Sequence, residues 1–442
     1  MFKKSLLIIT ILFFSFSCSV NHERTISNHT NLINISDGWA ANSINTVVFR
    51  HNSLASYMGV QYAAFYAADS SVILAKRNTG SQEWDIKKTG YKGNIADAHN
   101  CISIIVDGSG YLHMAWDHHG STLNYCKSVS PGSLDLSNKL EMTGVNEENV
   151  TYPEFYMLPD GNLIFLYRDG SSGNGNLVMN YYDNKNQKWS KQQDNLISGE
   201  GERNAYWQAA VSNDGVIHLS WVWRETWDVS TNHDVCYAKS TDNGKTWEKS
   251  TGEKYTLPIT VETAEYAAKI PQGNELINQT SMCTDAEGNP YIATYMTAEK
   301  DSIPQYYVIY NNDSVWKMSK VTNRNLAFSL NGGGTKRIPI SRPQIMIDSE
   351  KYIYLIYRDE ERGSKVTAAW CSEINNVEWN YLNLTSFSTD MWEPTYDIDM
   401  WKDKNVLNLF IQKVGQGDGE TLEDTTSTMI SVLEWEPLKD DR

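Results

Sequence analysis

The sequence predicts an all-β protein, a seven-bladed β-propeller with four-stranded antiparallel blades. Helical periodicity is scarce, and a unit of one polar, glycine-containing turn and one apolar strand recurs along the chain. The units begin at five aspartates spaced by 53, 54, 71 and 63 residues, namely Asp107, Asp160, Asp214, Asp285 and Asp348. Repeats of this length with about four strands each are typical of propeller blades.

A second recurring element is a turn that ends in tryptophan. Residues 240–247 form a complete Asp-box, Ser-x-Asp-x-Gly-x-Thr-Trp, and degenerate copies end at Trp84, Trp189, Trp316 and Trp379. In such a turn Asp bonds the backbone, Gly takes a positive φ and Trp packs between sheets. Inner strands are predicted to start near Asn45, His99, Tyr152, Tyr206, Gln279, Arg342 and Trp392, which gives seven blades in one domain over residues 40–437. Two β-sandwiches are the alternative, but no Pro/Gly-rich boundary divides the chain.

The N-terminal residues predict export. Lys3 and Lys4 precede an apolar run over residues 6–14, which is too short to span a bilayer. Residues 1–17 are therefore predicted to be a signal peptide. Its end resembles a bacterial lipoprotein signal with Cys18 as the lipidated residue, although Ser15 departs from that pattern and plain secretion is the alternative. Residues 18–39 are predicted to be a polar tether to the outer membrane of a Gram-negative bacterium.

Composition excludes two classes of protein. The chain has 442 residues, with 54 acidic and 38 basic side chains and a net charge of −16, which is too acidic for a general nucleic-acid binder. With 15 Trp, 25 Tyr and only 21% charged residues, it is too aromatic to be disordered. We expect a monomer that contacts a membrane only through its N-terminal lipid.

The cysteines do not indicate a disulfide framework, because the five beyond Cys18 are scattered over a long chain. Most are expected to be small buried side chains. His233, Cys236 and Cys283 are the candidate ligands of a structural metal ion, should the fold bring them together.

Candidate site residues cluster at the predicted starts of inner strands, which converge on one mouth of a propeller channel. His99 and Asn100 open one such strand, and the next strand of that blade ends at His118 and His119. Only one of these two can point at His99, and we favour His119; core or turn histidines are the alternative. Tyr152 and Tyr206 open the next two blades.

Three arginines occupy equivalent ends of second strands, namely Arg168, Arg224 and Arg358. We expect them to face an anionic ligand. Structural ion pairs with neighbouring acids are the alternative for Arg224 and Arg358.

Two His, two Tyr and one Arg suit β-elimination at a uronic acid. The reaction needs a base for the C5 proton, a group that neutralises the carboxylate and an acid for the C4 leaving oxygen. Histidine accepts protons near neutral pH, and arginine grips a carboxylate with two parallel bonds. Glycoside hydrolysis would use two carboxylates instead, and Asp97, Asp117 and Glu154 leave it open.

Five motifs follow one another along the chain: Asp-Ala-His-Asn (97–100), Trp-Asp-His-His (116–119), Thr-Tyr-Pro (151–153), Tyr-Arg (167–168) and Arg-Asn-Ala-Tyr-Trp-Gln (203–208). In this order they resemble the BNR-repeat family that contains the seven-bladed ulvan lyases. The resemblance runs from about residue 45 to 430. It implies elimination at glucuronic or iduronic acid next to sulfated rhamnose. His99 and His119 would flank the reacting sugar, Tyr152 would donate a proton, Arg168 would neutralise the carboxylate and Tyr206 would line the subsite.

The resemblance also implies that a bound metal, zinc or calcium, is structural, and that catalysis uses no cofactor. The substrate would be an anionic sulfated polysaccharide or its oligosaccharides. A dehydratase acting on the terminal uronic acid of ulvan oligosaccharides is the first alternative, and a non-catalytic glycan-binding propeller is the second. An exo-acting enzyme needs a blocked groove, for which the segments 171–176, 253–275 and 323–336 are candidates.

Overall fold

Seven antiparallel sheets stand as blades around a channel in the computed structural model, which describes residues 26–279, 281–298, 302–312, 315–374 and 378–438. The first strands of neighbouring blades contact one another around that channel. The predicted all-β, seven-bladed propeller is confirmed.

Each blade runs from an inner to an outer strand. The first blade holds β2 (Leu54–Tyr57), β3 (Val60–Tyr66), β4 (Ser71–Asn78) and β5 (Asp85–Lys92), and the second holds β6 (Ile102–Val106), β7 (Leu112–Trp116) and β9 (Tyr125–Lys127). The third comprises β10 (Val150–Met157), β11 (Leu163–Ser171), β12 (Asn174–Asp183) and β13 (Lys188–Ile197), with the short β8 (His119–Ser121) paired to β10. The fourth comprises β14 (Asn204–Val211), β15 (Ile217–Arg224), β16 (Asn232–Ser240) and β17 (Glu265–Ala268).

The fifth blade comprises β18 (Ser281–Thr284), β19 (Pro290–Met296), β20 (Gln305–Asn312) and β21 (Val315–Lys320). The sixth comprises β22 (Gln344–Ile347), β23 (Ile353–Asp359), β24 (Lys365–Cys371) and β25 (Asn380–Asn383). Five of the seven inner strands begin within a few residues of their predicted starts, as β6, β10, β14, β18 and β22. In the first blade, residues 40–53 form no strand before β2, and in the seventh the segment after Trp392 pairs with β26 through a single bridge, Tyr396 to Leu409.

The seventh blade closes the ring with both ends of the chain. Its strands β26 (Leu407–Gln412) and β27 (Ser427–Trp435) are completed on the outside by the N-terminal strand β1 (Thr30–Trp39), which pairs with β27. The predicted tether over 18–39 is therefore wrong for residues 30–39. The polar Asn and Ser residues suggested a solvated linker, but they lie on an outer strand that buries only Ile33, Ile35 and Gly38. The predicted signal peptide and Cys18 lie outside the described residues.

The Asp-box turn folds as its residues dictate. Asp242 accepts hydrogen bonds from the hydroxyls of Ser240 (2.9 Å) and Thr246 (2.7 Å). Gly244 has a φ of 83°, a left-handed value that the turn requires and that glycine adopts without strain. Trp247 is fully buried and donates to the Gly244 carbonyl.

Helices are few in the described part of the chain. One α-helix, α1 (Ile398–Lys404), lies across the channel, where Trp401 Nε1 donates to Ile347 O (3.0 Å) and Lys402 Nζ to Val211 O (2.7 Å). Both carbonyls stand at the ends of inner strands, so α1 covers the channel at that end. Four short 3₁₀ turns occur at Val48–Arg50, Val229–Thr231, Glu360–Arg362 and Asp418–Glu420. No helix among the described residues has the length and apolar character needed to cross a membrane.

Candidate active site

The candidate site lies at the mouth where the inner strands begin, opposite the end covered by α1. Thr151 at the start of β10 pairs with Arg168 near the end of β11 and, on its other side, with His119. Asn204 at the start of β14 pairs with Arg224 at the end of β15. Antiparallel pairing thus brings first-strand starts and second-strand ends together, as the sequence predicted.

A stacked pair of histidines forms one side of the site. The rings of His99 and His119 are 4.1 Å apart at 13°, and both Nδ1 atoms face the two oxygens of Asp97, at 2.8 and 2.6 Å respectively. As predicted, His119 rather than His118 is the histidine that lies beside His99. His118 is buried, and its Nε2 accepts from the backbone of Asn124 (2.7 Å).

A second carboxylate, Glu420, fixes the charge of His99. Its Oε1 lies 3.2 Å from His99 Nδ1, while its oxygens also accept from the backbone N–H groups of Ala98 (3.0 Å) and Thr335 (2.6 Å). Burial by itself lowers the pKa of His99, but the hydrogen bonds and negative charges of Asp97 and Glu420 outweigh burial and raise it to about 9. His99 is therefore an imidazolium at neutral pH, and the pKa of Asp97 lies well below its usual range.

Tyr152 sits at a break in its strand. Its φ is 57°, a strained value for a tyrosine, and the register of β10 shifts between Thr151 and Glu154. Pro153, which has no N–H to give the ladder, lies inside this break. The bulge aims the Tyr152 ring into the mouth, where it lies 5.9 Å from the His99 ring and 5.8 Å from the Tyr206 ring. Burial first of all keeps the pKa of Tyr152 above its ordinary value, so this tyrosine retains its proton.

The guanidinium groups of Arg168 and Arg224 lie beside the hydroxyl of Tyr206. Arg224 Nη1 donates to Tyr206 Oη at 3.2 Å, and Arg168 Nη1 lies 3.5 Å from the same oxygen. Arg168 also lies 5.0 Å above the centre of the Tyr152 ring, and its buried Nε has no partner in the described part of the chain. Burial opposes ionisation of Tyr206, but the charges of Arg224 and then Arg168 prevail and lower its pKa. The site therefore concentrates positive charge despite the negative net charge.

Two predicted substrate-binding residues are placed elsewhere by the structure. Arg358 is 2% exposed, and its guanidinium donates to the carbonyls of Trp392, Pro339 and Ile338 at 2.9–3.1 Å, so it braces the sixth and seventh blades. The Asn100 amide donates to the Asn94 carbonyl (3.2 Å). The equivalence of strand ends suggested ligand contact, but it does not reveal which partners each side chain meets. Arg168 is as buried as Arg358, at 2% exposed, yet its Nε has no partner among the described residues, whereas three carbonyls engage the Arg358 guanidinium.

The predicted metal ligands do not come together. His233 bonds Glu225 (2.9 Å) and Asp234 (3.0 Å), and Cys236 is buried in a different apolar cluster from the one that Cys283 packs against. Among the described residues, the only group of three potential ligands within 4.8 Å is Asp97, His99 and His119. Their nearly parallel rings direct the nitrogen lone pairs side by side, whereas a metal ion requires them to converge. The prediction of a metal site at His233, Cys236 and Cys283 is therefore wrong.

Three residues of the site were missed by sequence reasoning. Glu420 comes from the last blade, Phe49 stacks on His99 at 5.3 Å, and Arg342 lies over Phe49 at 5.2 Å while pairing with Glu393 at 3.0 Å. Arg342 was noted as a strand start, a signal that could have marked it. Glu420 and Phe49 lie in short 3₁₀ turns that follow no recurring sequence pattern, so only the folded ring reveals them.

The carboxylates that kept hydrolysis open are engaged otherwise. Asp97 is shared by two histidines, and Asp117 accepts from the backbone of Asn94 (2.7 Å). Glu154 is 3% exposed beneath the mouth, where Trp207 Nε1 (3.0 Å) and the Tyr156 hydroxyl (2.5 Å) donate to it, and burial raises its pKa to about 8. The geometry thus favours elimination over hydrolysis by paired carboxylates.

Fold and site together define a β-propeller of Asp-box repeats with a cationic, histidine-containing mouth. Residues 60–324, more than half of the chain, match the family model described as BNR repeat-containing family member. The protein belongs to this BNR repeat-containing family.

Curated relatives are ulvan lyases. The chain is 28% identical over 172 residues to the long isoform of the ulvan lyase from Glaciecola sp. (strain KUL10), a match over 28% of this chain and 17% of that enzyme. It is 24% identical over 339 residues to the ulvan lyase of Nonlabens ulvanivorans, covering 66% of this chain and 70% of that enzyme. The chain thus spans about a sixth of the length of the Glaciecola relative.

Two solved structures share the fold. The polysaccharide lyase Uly1 superposes with a TM-score of 0.67 at 16% identity, over 94% of this chain and all of that one. The ulvan lyase PL25 bound to -[GlcA(1-4)Rha3S]- gives 0.62 at 14% identity, over 92% of this chain and 96% of that one. At these identities the likeness shows the propeller fold.

Proposed function

We propose that the protein is a polysaccharide lyase that cleaves ulvan-type sulfated, uronic-acid-containing chains by β-elimination. The observation that carries this proposal is the juxtaposition of the His99–His119 pair with Tyr152 and the Arg168–Tyr206–Arg224 cluster at one mouth. Relatives named as ulvan lyases, and a neighbouring structure that holds a glucuronate–rhamnose sulfate chain, support the substrate class.

Each step of the elimination has a group to perform it. His119 donates its Nδ1–H to the Asp97 carboxylate, which leaves Nε2 on the far side of the ring to accept the C5 proton. The electron pair of the C5–H bond becomes the C4–C5 double bond, and the C4–O bond breaks. Tyr152, which keeps its proton, donates it to the leaving oxygen.

Cations stabilise the charge that builds on the uronate carboxylate as C5 loses its proton. His99 is held as an imidazolium by two carboxylates, and Arg168 has an unpaired, buried Nε. Such preorganised charge in a largely buried site is worth more than in water. Tyr206 holds Arg168 and Arg224 together, because its easily ionised oxygen offsets their repulsion.

A dehydratase acting on oligosaccharide ends is the second candidate, and one structural feature favours it. Residues 331–336, here termed the bridging segment, cross from the fourth to the seventh blade beside the mouth. Gly332 bonds Asp228 and Val229 of the fourth blade at 3.0 and 2.9 Å, and Thr335 bonds Glu420 and Gly419 at 2.6 and 3.0 Å. Because Glu420 in turn contacts His99, this wall borders the reacting position. A wall there suits recognition of a chain end, at which hydroxide would leave C4 and depart as water.

Absorbance of the conjugated unsaturated uronate tests both candidates. The protein is incubated with ulvan polymer and, separately, with oligosaccharides made by a lyase. A rise with polymer is expected for the lyase, and a rise with oligosaccharides alone would replace it with the dehydratase. No rise with either would refute elimination, and binding without turnover would then identify a glycan-binding propeller.

A matched pair of variants checks the proton donor. Tyr152→Phe is expected to reduce turnover by roughly 10²–10⁴-fold with an unchanged melting temperature. Tyr91→Phe removes a hydroxyl of the first blade that donates to Ser137 O (2.6 Å), and turnover should be unaffected. Full activity of Tyr152→Phe would remove this tyrosine from the mechanism.

We further propose that catalysis needs no cofactor, that the chain acts as a monomer and that it is exported and anchored through lipid on Cys18. The apolar run before Cys18 supports export. We expect activity to survive dialysis against a chelator, and the mass in solution to be that of a monomer. We also expect the protein to incorporate labelled fatty acid and Cys18→Ser to abolish this labelling. Loss of activity that added metal restores, a dimeric mass or unchanged labelling would refute the respective proposals.

A further inference from the structure

Trp227 is the only tryptophan among the large apolar side chains that the described part of the chain exposes. It is 65% exposed, whereas Trp207, Trp221 and Trp223 of the same blade are at most 1% exposed. Exposing an indole forgoes much apolar burial, so a large exposed ring beside a cationic mouth suggests a ligand surface.

The backbone of Trp227 is tied directly to the candidate site. Arg224 donates through Nε to Thr226 O at 3.1 Å and through Nη2 to Trp227 O, while its Nη1 bonds Tyr206 Oη at 3.2 Å. One guanidinium therefore spans from the tyrosine at the reacting position to the main chain that carries the indole.

The indole is supported from one side. A Cβ on residue 333 would lie 2.8 Å from Trp227 Cε3, so the ring packs directly on the backbone of Gly333 in the bridging segment. Asp228 holds the same segment through Gly332, which fixes the ring against its support. With one edge against backbone and 65% of the side chain open, the ring presents a firm flat surface to solvent.

We propose that Trp227 is the stacking platform of a sugar subsite next to the reacting uronate, and that it receives an uncharged face of the neighbouring 6-deoxyhexose rather than a uronate. This inference rests on the proposed function. An indole face is electron-rich, so it attracts the C–H groups of a pyranose and repels the carboxylate of a uronate. The deoxy sugar has a methyl group where a uronate has its C6 carboxylate, so it offers the indole a face of C–H groups. The cationic groups around Tyr206 bind the uronate, and the uncharged indole of Trp227 binds the neighbouring sugar.

Steady-state kinetics of Trp227→Ala and Trp227→Phe test this assignment. For the substrate that the wild type turns over, Trp227→Ala is expected to raise KM roughly tenfold with kcat changed less than about twofold, and Trp227→Phe to recover most of the affinity. Free glucuronate and free rhamnose serve as competitors. Rhamnose inhibition should weaken in Trp227→Ala, whereas glucuronate inhibition should not change.

Phe387→Ala is the matched control, because Phe387 is an exposed aromatic (43%) between the sixth and seventh blades. It should leave KM unchanged. An unaltered KM for Trp227→Ala, or an equal loss of rhamnose and glucuronate inhibition, would overturn the proposal. If the wild type shows no turnover, the proposed function fails instead. Quenching of Trp227 fluorescence by rhamnose-containing oligosaccharides then tests whether Trp227 stacks on the sugar. Quenching that is the same in wild type and Trp227→Phe would refute it.

Discussion

The carboxylate of Glu420 lies 3.2 Å from Nδ1 of His99, although one residue belongs to the last blade and the other opens the second. The seventh blade is built from both ends of the chain, so closing the ring also completes the electrostatic surroundings of His99. Glu420 adopts a φ of 69° to make this contact, a strained value for a glutamate. Ring closure and the protonation state of the site are thereby linked.

Glu420→Gln is expected to shift the alkaline limb of the kcat/KM profile to lower pH by about one unit. The amide removes one of the two negative charges that raise the pKa of His99 to about 9, so the imidazolium loses its proton earlier. Glu423→Gln, which alters a surface pair with Arg337, is the control. A profile identical to that of the wild type would show that His99 charge does not limit turnover.

Stability should depend on pH through the same histidine. The pKa of His99 rises on folding from 6.5 to about 9, so the folded chain binds this proton more tightly than the unfolded chain. The stabilisation is complete below about pH 6.5 and is lost as the pH rises through about 9. The difference in urea midpoint between wild type and His99→Asn should therefore be largest at about pH 6, shrink as the pH rises from about 6.5 to about 9, and be small above that. A difference that grows with rising pH would contradict the assigned charge.

Arg358 and Arg168 should respond oppositely to substitution. Arg358→Ala leaves three buried carbonyls without their hydrogen-bond donor and is expected to lower the free energy of unfolding by about 3 kcal/mol or more. Arg168→Gln removes a group with an unpaired Nε, so stability should change little while kcat/KM falls roughly 10²–10³-fold. Denaturant unfolding and steady-state kinetics on both variants separate the two roles. If Arg358→Ala folds as stably as the wild type but has a raised KM, Arg358 binds substrate and does not brace the blades.

Deleting β1 should open the ring. A chain that lacks residues 1–39 loses the strand paired with β27 from Thr30 to Trp39 and exposes that edge. Its melting temperature is expected to fall by roughly 10 °C or more, with increased aggregation. A chain that lacks only residues 1–25 keeps β1 and should melt like the full chain. Equal melting of the two shortened chains would mean that β1 adds nothing to the closure.

Local patterns in the sequence determined the repeat and much of the site. The Asp-box at residues 240–247 works through contacts within eight residues, so its fold could be predicted without tertiary information. His99, His119, Tyr152 and Arg168 were found because an antiparallel hairpin always brings one strand's start to its neighbour's end. Once the blades were counted, these positions followed from geometry alone.

The tertiary structure decided whatever depends on burial or on distant partners. Arg168 and Arg358 end equivalent strands and are equally buried, yet Arg168 faces a tyrosine pair, whereas three carbonyls from distant segments engage Arg358 and make it brace two blades. Residues 30–39 look like a linker by composition, and only the free edge of β27 makes them a strand. Likewise, no sequence pattern pairs Glu420 with His99. That contact exists because a closed ring places its last loop beside its second blade, where two carboxylates outweigh burial and keep the histidine charged.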